Sequence, residues 1–201
     1  IFGRLTGLPL AGAISDKRAA IATTTRQLIK LGHRRIVFLT RRALRIPRHA
    51  PILQVFLDEL EAHGIPTGAY NLPDWDEDLD GFHRLLNNLF QHTPPTALIV
   101  DESTFLMATI LFLQSHGLQV PKHVSLICTD GDPHFTWCRP SVAHIQWDTA
   151  PVVRRALRWA DNVACGKKDI RQKVVNAEFF EGGTIGPVTA EKIPTRFTAR
   201  P

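Results

Sequence analysis

The chain has 201 residues, of which 44% are hydrophobic and 21% are charged, as is typical of a globular protein. No apolar run approaches the roughly 18 residues that a membrane-spanning helix needs, and no charged-then-apolar leader opens the chain. The sequence therefore predicts neither a membrane span nor a secretion signal. Three cysteines without metal-type spacing, Cys128, Cys138 and Cys165, favour a reduced, cytoplasmic setting in which they pack as ordinary side chains.

The net charge of +5 conceals a strong asymmetry along the chain. Residues 1–50 carry eleven Lys and Arg against one acid, whereas residues 51–110 carry ten acids against one Arg. A nucleic-acid surface is one interpretation of the basic block, and an anion-binding ligand site is another. Because no recognised DNA-reading motif accompanies the block, the sequence favours the third interpretation, that of solvated helix faces and loops.

Segments of strand and helical character alternate along the chain. In chain order they are a strand at 11–15, a helix at 18–31, a strand at 35–40, a helix at 52–63, an extended piece at 69–72, a helix at 78–91, a strand at 97–100, a helix at 105–116, strands at 125–128 and 142–147, a helix from Asp148 or Thr149 to about 164, and a strand at 173–180. This alternation predicts βαβ units and a largely parallel sheet, which is an α/β fold.

The helix at 151–164 has an amphipathic pattern. Its arginines are predicted to face outward and its apolar residues to pack inward on a sheet, the inward set being Val152, Val153, Ala156 and Leu157 and the outward set Arg154, Arg155 and Arg158.

An acid stands where a buried strand stops. The apolar stretch Val124–Cys128 runs into Thr129 and Asp130. Since parallel α/β sheets bind ligands beyond the carboxyl ends of their strands, Asp130 is a candidate ligand contact. The alternative is a turn cap in Asp130-Gly131-Asp132-Pro133, because Asp favours turns by hydrogen-bonding its own backbone.

A series of motifs stands in a fixed order along the chain. They are Asp16 with Ala20 and Gln27, then Leu28-Ile29-Lys30-Leu31-Gly32-His33-Arg34-Arg35-Ile36, then Phe56, Leu60, Gly64 and Ile65, then Pro95-Thr96-Ala97, then residues 117–121, 124–130 and Pro140. Together they resemble the effector-binding core of LacI/GalR-type transcription regulators. Gln27 stands where the family usually has His. The resemblance covers roughly residues 8–185.

The resemblance implies a periplasmic-binding-protein-like (type I) architecture, with two lobes and an effector in the cleft between them. It assigns residues 33–145 to a complete second lobe and residues 1–32 and 146–187 to a partial first lobe, with 188–201 as a C-terminal tail. The family's N-terminal DNA-binding head would be absent from this chain. Missing first-lobe strands would leave a sheet edge unprotected, and a homodimer would be a natural way to cover it.

The resemblance also nominates ligand-binding residues. Asp130, Asp16 and Glu102 would bind hydroxyls, and Trp75 would pack on a sugar ring, with Asp101 and Trp137 as further candidates. Asp16 has an alternative role as the cap of the helix at 18–31, and tryptophans are more often simply packed.

One departure from the family concerns an arginine. The family commonly has Arg four residues before Phe56, where this chain has Ile52. We expect Arg48, or one of Arg41, Arg42 and Arg45, to replace it, for an acidic sugar or a sugar phosphate. The alternative is an exposed basic loop.

The sequence argues against an enzyme. It contains no nucleophile elbow, dinucleotide-binding glycine turn, P-loop or zinc-protease His pair, and its nine histidines are scattered. No catalytic residue, metal site or cofactor is therefore predicted.

The expected function is that of the effector-binding core of a cytoplasmic, dimeric transcription regulator. Its effector would be a sugar or an acidic sugar derivative, and DNA would be bound only through the missing head. Ligand-driven closure of the lobes would change operator affinity. A periplasmic sugar-binding protein of a transport system is the alternative.

Overall fold

The computed structural model describes residues 11–189, which form one sheet with helices on both faces. The six strands are β1 Gly12–Asp16, β2 Ile36–Leu39, β3 Ala97–Val100, β4 Ser125–Cys128, β5 Ala143–Trp147 and β6 Gln172–Phe180. The helices are α1 Arg18–Lys30, α2 Arg42–Arg45, α3 Pro51–Ala62, α4 Leu79–His92, α5 Ser103–Ser115 and α6 Ala150–Ala164, with a 3-10 helix at Pro133–Trp137. The strand order is β1-β6-β5-β4-β3-β2.

Strands β2 to β5 are parallel and form the buried centre of the molecule. Alternate residues of a strand point to opposite faces, so Ile36 and Phe38 of β2 pack under α1 and α3, whereas Val37 and Leu39 pack under α4 and α5. Every residue of β2, β3 and β4 is buried. Continuous apolar strands of this kind need cover on both faces, and the two helical layers provide it.

Strand β6 joins two parts of the sheet that run in opposite directions. Its first half, to Asn176, pairs in parallel with β1, and its second half, from Ala177, pairs antiparallel with β5. Asp16 at the end of β1 is paired with Asn176, and Trp147 at the end of β5 is paired with Ala177. The carboxyl ends of β1 and of β2–β5 therefore face each other across the middle of β6.

The predicted α/β fold and its largely parallel sheet are confirmed, and β3 and β4 have the predicted bounds. The extended piece predicted at 69–72 is instead a turn. It still covers the outer edge of β2 through Asn71, whose carbonyl accepts from the Phe38 N–H (2.8 Å) and whose amide donates to the Ile36 carbonyl (3.0 Å). Helix α2 and the 3-10 helix were not predicted, because four or five residues are too few to show a helical period.

The orientation predicted for α6 is wrong for four side chains. Val152 is buried, but Val153 and Leu157 are 54% and 62% exposed, and Ala156 is exposed as well. Arg155, predicted to face outward, points inward and donates through both terminal nitrogens to Asp169 (3.1 and 2.8 Å). Among the described residues, α6 packs mainly on β1 and β6, a two-stranded strip too narrow to cover the whole apolar face.

The predicted division into lobes stays a prediction. The buried face of α1, with Ile21 and Leu28, shares one apolar core with Phe38 of β2 and Phe56 of α3. That part of the predicted first lobe is thus packed with second-lobe elements. Residues 1–10 of the predicted first lobe and 190–201 of the predicted tail lie outside the described residues.

Within residues 11–189, no helix combines the length and the apolar character needed to cross a membrane.

Candidate ligand-binding crevice

Charged side chains converge where the carboxyl ends of the strands face each other. We call this place the crevice and define it by six residues, which are Asp16, Lys17, Arg41, Asp101, Glu102 and Asp130. Each of them stands at the carboxyl end of β1, β2, β3 or β4, within two residues of the strand. This edge is where open α/β sheets bind ligands.

Asp130 is bound by a lysine from the opposite side of the crevice. Its carboxylate forms an ion pair with the ammonium of Lys17, which follows β1. The turn-cap role that the sequence left open belongs to Asp132 instead, which accepts the His134 N–H (2.9 Å) at the start of the 3-10 helix. Gly131 lies against β5 so closely that a Cβ there would be 2.9 Å from the side chain of Gln146, which fixes the course of the loop.

A second group consists of one arginine and two consecutive acids. Arg41 donates from Nε to Asp101 (3.1 Å), and its Nη1 forms an ion pair with Glu102 (2.8 Å). The Asp101 side chain is 3% exposed, and its other oxygen accepts from the Thr129 hydroxyl (2.8 Å). The acids following β3 raise the pKa of the Arg41 guanidinium against the opposing effect of burial. A buried carboxylate with these partners is held firmly in place.

Glu102 has an unusual backbone conformation. Its φ is 65° and its ψ is 147°, and it is the sole non-glycine residue of the described chain with a positive φ. Its side chain does not cap α5, although Glu102 is the residue that precedes this helix. Strain of this kind costs about 1–3 kcal/mol and is concentrated at functional sites. The strained backbone turns the carboxylate toward Arg41 rather than toward the helix.

Asp16 binds the first residue of α1 through both its backbone and its side chain, and its contact with a ligand stays a prediction. Its carboxylate accepts the backbone N–H of Arg18 (3.0 Å), as a capping residue would, and it also binds the Arg18 guanidinium (2.6 Å to Nη2). The hydrogen bonds from the Arg18 side chain hold the pKa of Asp16 below its ordinary value. Asp16 is thus ionised at the edge of the crevice.

Three predicted site residues lie outside this cluster. Trp75 is buried, donates from its indole to the Thr40 carbonyl (3.1 Å) and packs on Phe82 and Phe105. Arg48 is exposed in the turn between α2 and α3. Trp137 is 83% exposed on the 3-10 helix. A contact of these three with a ligand stays a prediction.

Among the four arginines considered as replacements for the family's arginine, only Arg41 is a crevice residue. Arg45 is buried, and its guanidinium pairs with Asp74 and donates to the Trp75 carbonyl (3.0 Å). Burial lowers the pKa of Arg45. Arg42, like Arg48, is exposed.

Lys17 was not predicted. A lysine beside a helix N-terminus has the sequence pattern of a solvated residue. The one signal in the sequence was its position directly after the strand-end acid Asp16. Its partner is 113 residues away in the chain, so no local pattern indicates the contact.

Metal-binding and thiol chemistry have no support here. Residues 11–189 contain no group of three or more His, Cys, Asp or Glu side chains that could hold a metal ion. Cys128, at the end of β4, is buried as predicted, and burial raises the pKa of its thiol to about 12. Cys165 is exposed, contrary to the expectation that the cysteines pack.

Comparison with known proteins gives a consistent result. Residues 25–185 match the family model described as periplasmic binding protein-like domain. The chain is 28% identical over 155 residues to the HTH-type transcriptional regulator RafR of Escherichia coli, which covers 75% of this chain and 45% of RafR. The chain thus spans less than half the length of this relative.

Solved structures share the fold. A LacI family transcriptional regulator from Enterococcus faecium with bound ribose superposes with a TM-score of 0.77 at 16% identity, over 92% of this chain and 69% of that one. The complex of the transcriptional regulator CelR with cellobiose gives a TM-score of 0.74 at 19% identity, over 91% of this chain and 57% of that one.

The resemblance to LacI/GalR-type regulators that the motifs indicated is therefore confirmed, and the chain belongs to the periplasmic binding protein-like domain family.

Proposed function

We propose that this chain is the effector-binding core of a DNA-binding transcription regulator and that its effector is a sugar or a sugar derivative. The observation that carries the proposal is the convergence of Asp130, Glu102 and Asp16 with their counter-ions at the facing carboxyl ends of the strands. Ion pairs that are partly open to solvent offer both strong donors and strong acceptors, which is what the hydroxyl groups of a sugar require.

The regulator is favoured over a transport protein by the relatives. RafR, the E. faecium protein and CelR are all named as transcriptional regulators. The structures of the last two contain a sugar. The same names support a binding function rather than an enzyme. Contact with the operator would be made by a DNA-binding head outside residues 1–201. A cytoplasmic location and a homodimeric assembly complete the proposal.

The proposed mechanism is a change in the relation between two lobes. Residues 33–145 would form the second lobe, and residues 1–32 with 146–187 would contribute to the first. A ligand in the crevice would contact Asp130 after β4 and the Asp16–Lys17 corner after β1, and so bind both sides at once. A ligand that binds the closed arrangement more tightly shifts the population toward it, and DNA affinity would change with that population.

A thermal-shift screen tests the proposal. Ribose, cellobiose and glucose would be added to the protein and to two variants, Asp130→Asn and Asp132→Asn. The second variant is the matched control, because Asp132 caps the 3-10 helix in the same loop. A ligand at one hundred times its Kd adds about 2.7 kcal/mol of stability, which is readily seen as a rise in Tm.

We expect a rise with one of these sugars that Asp130→Asn abolishes and Asp132→Asn retains. A rise that survives Asp130→Asn would place the ligand elsewhere. Cooperative melting without any rise would contradict a sugar effector of this kind.

A further inference from the structure

The charged side chains of the crevice all form ion pairs within the chain. Lys17 neutralises Asp130, Arg18 neutralises Asp16, and Arg41 binds both Asp101 and Glu102. With the Asp16–Arg18 pair cancelled, two cations face three carboxylates, which leaves a net charge of −1. Both crevice cations, Lys17 and Arg41, are therefore already paired with carboxylates of the chain and are not free to bind an anion.

We infer that Arg41 determines the ligand specificity of the crevice, because its guanidinium is the counter-ion that makes this place select an uncharged polyol over one with a protonated amine. The inference rests on the proposed function. It differs from the role expected from the sequence, in which an arginine of the segment 41–48 would receive an acidic group of the ligand.

The geometry of Arg41 supports this role. A guanidinium has five N–H donors. The Nε–H of Arg41 donates to Asp101, and its Nη1 forms an ion pair with Glu102. The side chain is 42% exposed, so its remaining donors are accessible to a ligand hydroxyl. A carboxylate of a ligand would have to compete with two carboxylates that are already bound, and one of them is buried.

Glu102 is the partner through which Arg41 would act on specificity. Its carboxylate is one-third exposed and stands on a strained backbone, so it is presented to the crevice at a fixed position. While Glu102 is paired with Arg41, a ligand ammonium gains less there than at an unpaired carboxylate, and it loses its hydration. Without Arg41, the same carboxylate lacks a counter-ion, and a ligand ammonium would supply one.

Three sugars that differ only at the sixth carbon test the inference. Glucose has a hydroxyl group there, its amino-substituted counterpart has an ammonium group, and glucuronate has a carboxylate. Calorimetry would give the Kd of each sugar for the unsubstituted protein, for Arg41→Gln and for Glu102→Gln. Arg34→Gln is the matched control, because it removes the same charge at a residue that precedes β2, at the end of the strand opposite to the crevice.

We expect the unsubstituted protein to bind glucose most tightly. Arg41→Gln should lower the Kd of the amino sugar relative to that of glucose by about tenfold or more. Glu102→Gln leaves Arg41 partly unpaired and should lower the relative Kd of glucuronate by a similar factor. This second variant keeps the Arg41–Asp101 contact, so it remains informative if Arg41→Gln fails to fold. Arg34→Gln should change neither ratio by more than about twofold.

Several results would overturn the inference. Ratios that stay unchanged in both crevice variants, or that move in the same direction, would remove Arg41 as the specificity-determining residue while leaving sugar binding intact. A glucuronate preference in the unsubstituted protein would restore the anion-receiving role. Failure of the protein and its variants to bind all three sugars, as well as ribose and cellobiose, would contradict the proposed function itself and the inference with it.

Discussion

Single residues show where local sequence patterns are sufficient and where they are not. Asp130 was predicted because a strand-end acid has a local signature, whereas Asp16 was nominated by the family resemblance, and both lie in the crevice. Lys17 and the pairing of Arg41 with Asp101 and Glu102 were not predicted, because these contacts join parts of the chain that are 113 and about 60 residues apart. Opposite charges in a sequence do not indicate which of them will meet.

His33, in the Gly-His-Arg-Arg-Ile motif, is a buried structural residue. Its Nε2–H donates to the Gly186 carbonyl (3.0 Å), and its Nδ1 forms a hydrogen bond with the Thr96 hydroxyl (2.9 Å). Burial lowers the pKa of His33 in the folded protein. The unfolded chain, with an ordinary histidine pKa of about 6.5, therefore takes up the proton first as the pH falls.

The predicted consequence is a loss of stability on acidification. As the pH falls from 7 through about 6.5 and below, the free energy of unfolding should decrease more in the unsubstituted protein than in His33→Gln. Urea unfolding at several pH values measures this difference. Parallel pH dependences of the two proteins would show that His33 does not titrate differently in the folded and unfolded states.

Asp169 is the centre of a second ionic group, which ties α6 to β6. It accepts from Arg155, Arg171 and Asn162 (2.8, 2.9 and 2.7 Å). Hydrogen bonds from Arg171 and Asn162 hold the pKa of this carboxyl far below its ordinary value. Its stabilising effect is therefore present above about pH 4, the ordinary value, and is lost as the pH falls further.

Replacing this acid should reveal that dependence. Asp169→Asn leaves two arginines without their shared counter-ion and should lower the Tm at pH 7. The difference in Tm between the variant and the unsubstituted protein should shrink below about pH 4. A constant difference across this range would mean that the carboxylate charge does not carry the effect.

Helices and strands were predicted correctly where neighbouring elements cover their apolar residues. The strands β3 and β4 have the predicted bounds because their apolar residues are covered on both faces. The burial of α6 was predicted wrongly for a physical reason, since an amphipathic sequence shows which face seeks cover but not whether cover is present. Val153 and Leu157 have the pattern of core residues and are exposed in the described part of the chain.

A pair of leucine substitutions compares a buried apolar side chain with an exposed one. Leu60 of α3 is 0% exposed within the core beneath α1 and α3, whereas Leu157 of α6 is largely exposed. Leu60→Ala should destabilise the chain by about 2–5 kcal/mol, because it removes buried methyl groups and leaves a cavity. Leu157→Ala should change the stability by less than about 0.5 kcal/mol.

Urea denaturation of both variants measures these values. A large loss for Leu157→Ala in the 201-residue chain would show that the apolar face of α6 is covered in solution, either by a second copy or by residues outside 11–189.

At the scale of the whole molecule, the reversal at β6 creates the candidate site. Because β6 is parallel to β1 and antiparallel to β5, the carboxyl ends of both parts of the sheet face each other. The alternation of helices and strands predicted the fold class but not this reversal, since no local pattern gives strand direction. The family resemblance supplied the two-lobed arrangement that the alternation alone could not.

The most direct measurement is hydrogen exchange, read by mass spectrometry, with and without the sugar that gives the largest rise in Tm. If the crevice binds the ligand, exchange should slow in the segments 15–18, 40–45, 101–104 and 129–132, which follow β1, β2, β3 and β4. Slowing in these four segments, lost in Asp130→Asn, is the result that we predict. Slowing confined to other parts of the chain, or none with any sugar tested, would contradict a sugar site at the carboxyl ends of the strands.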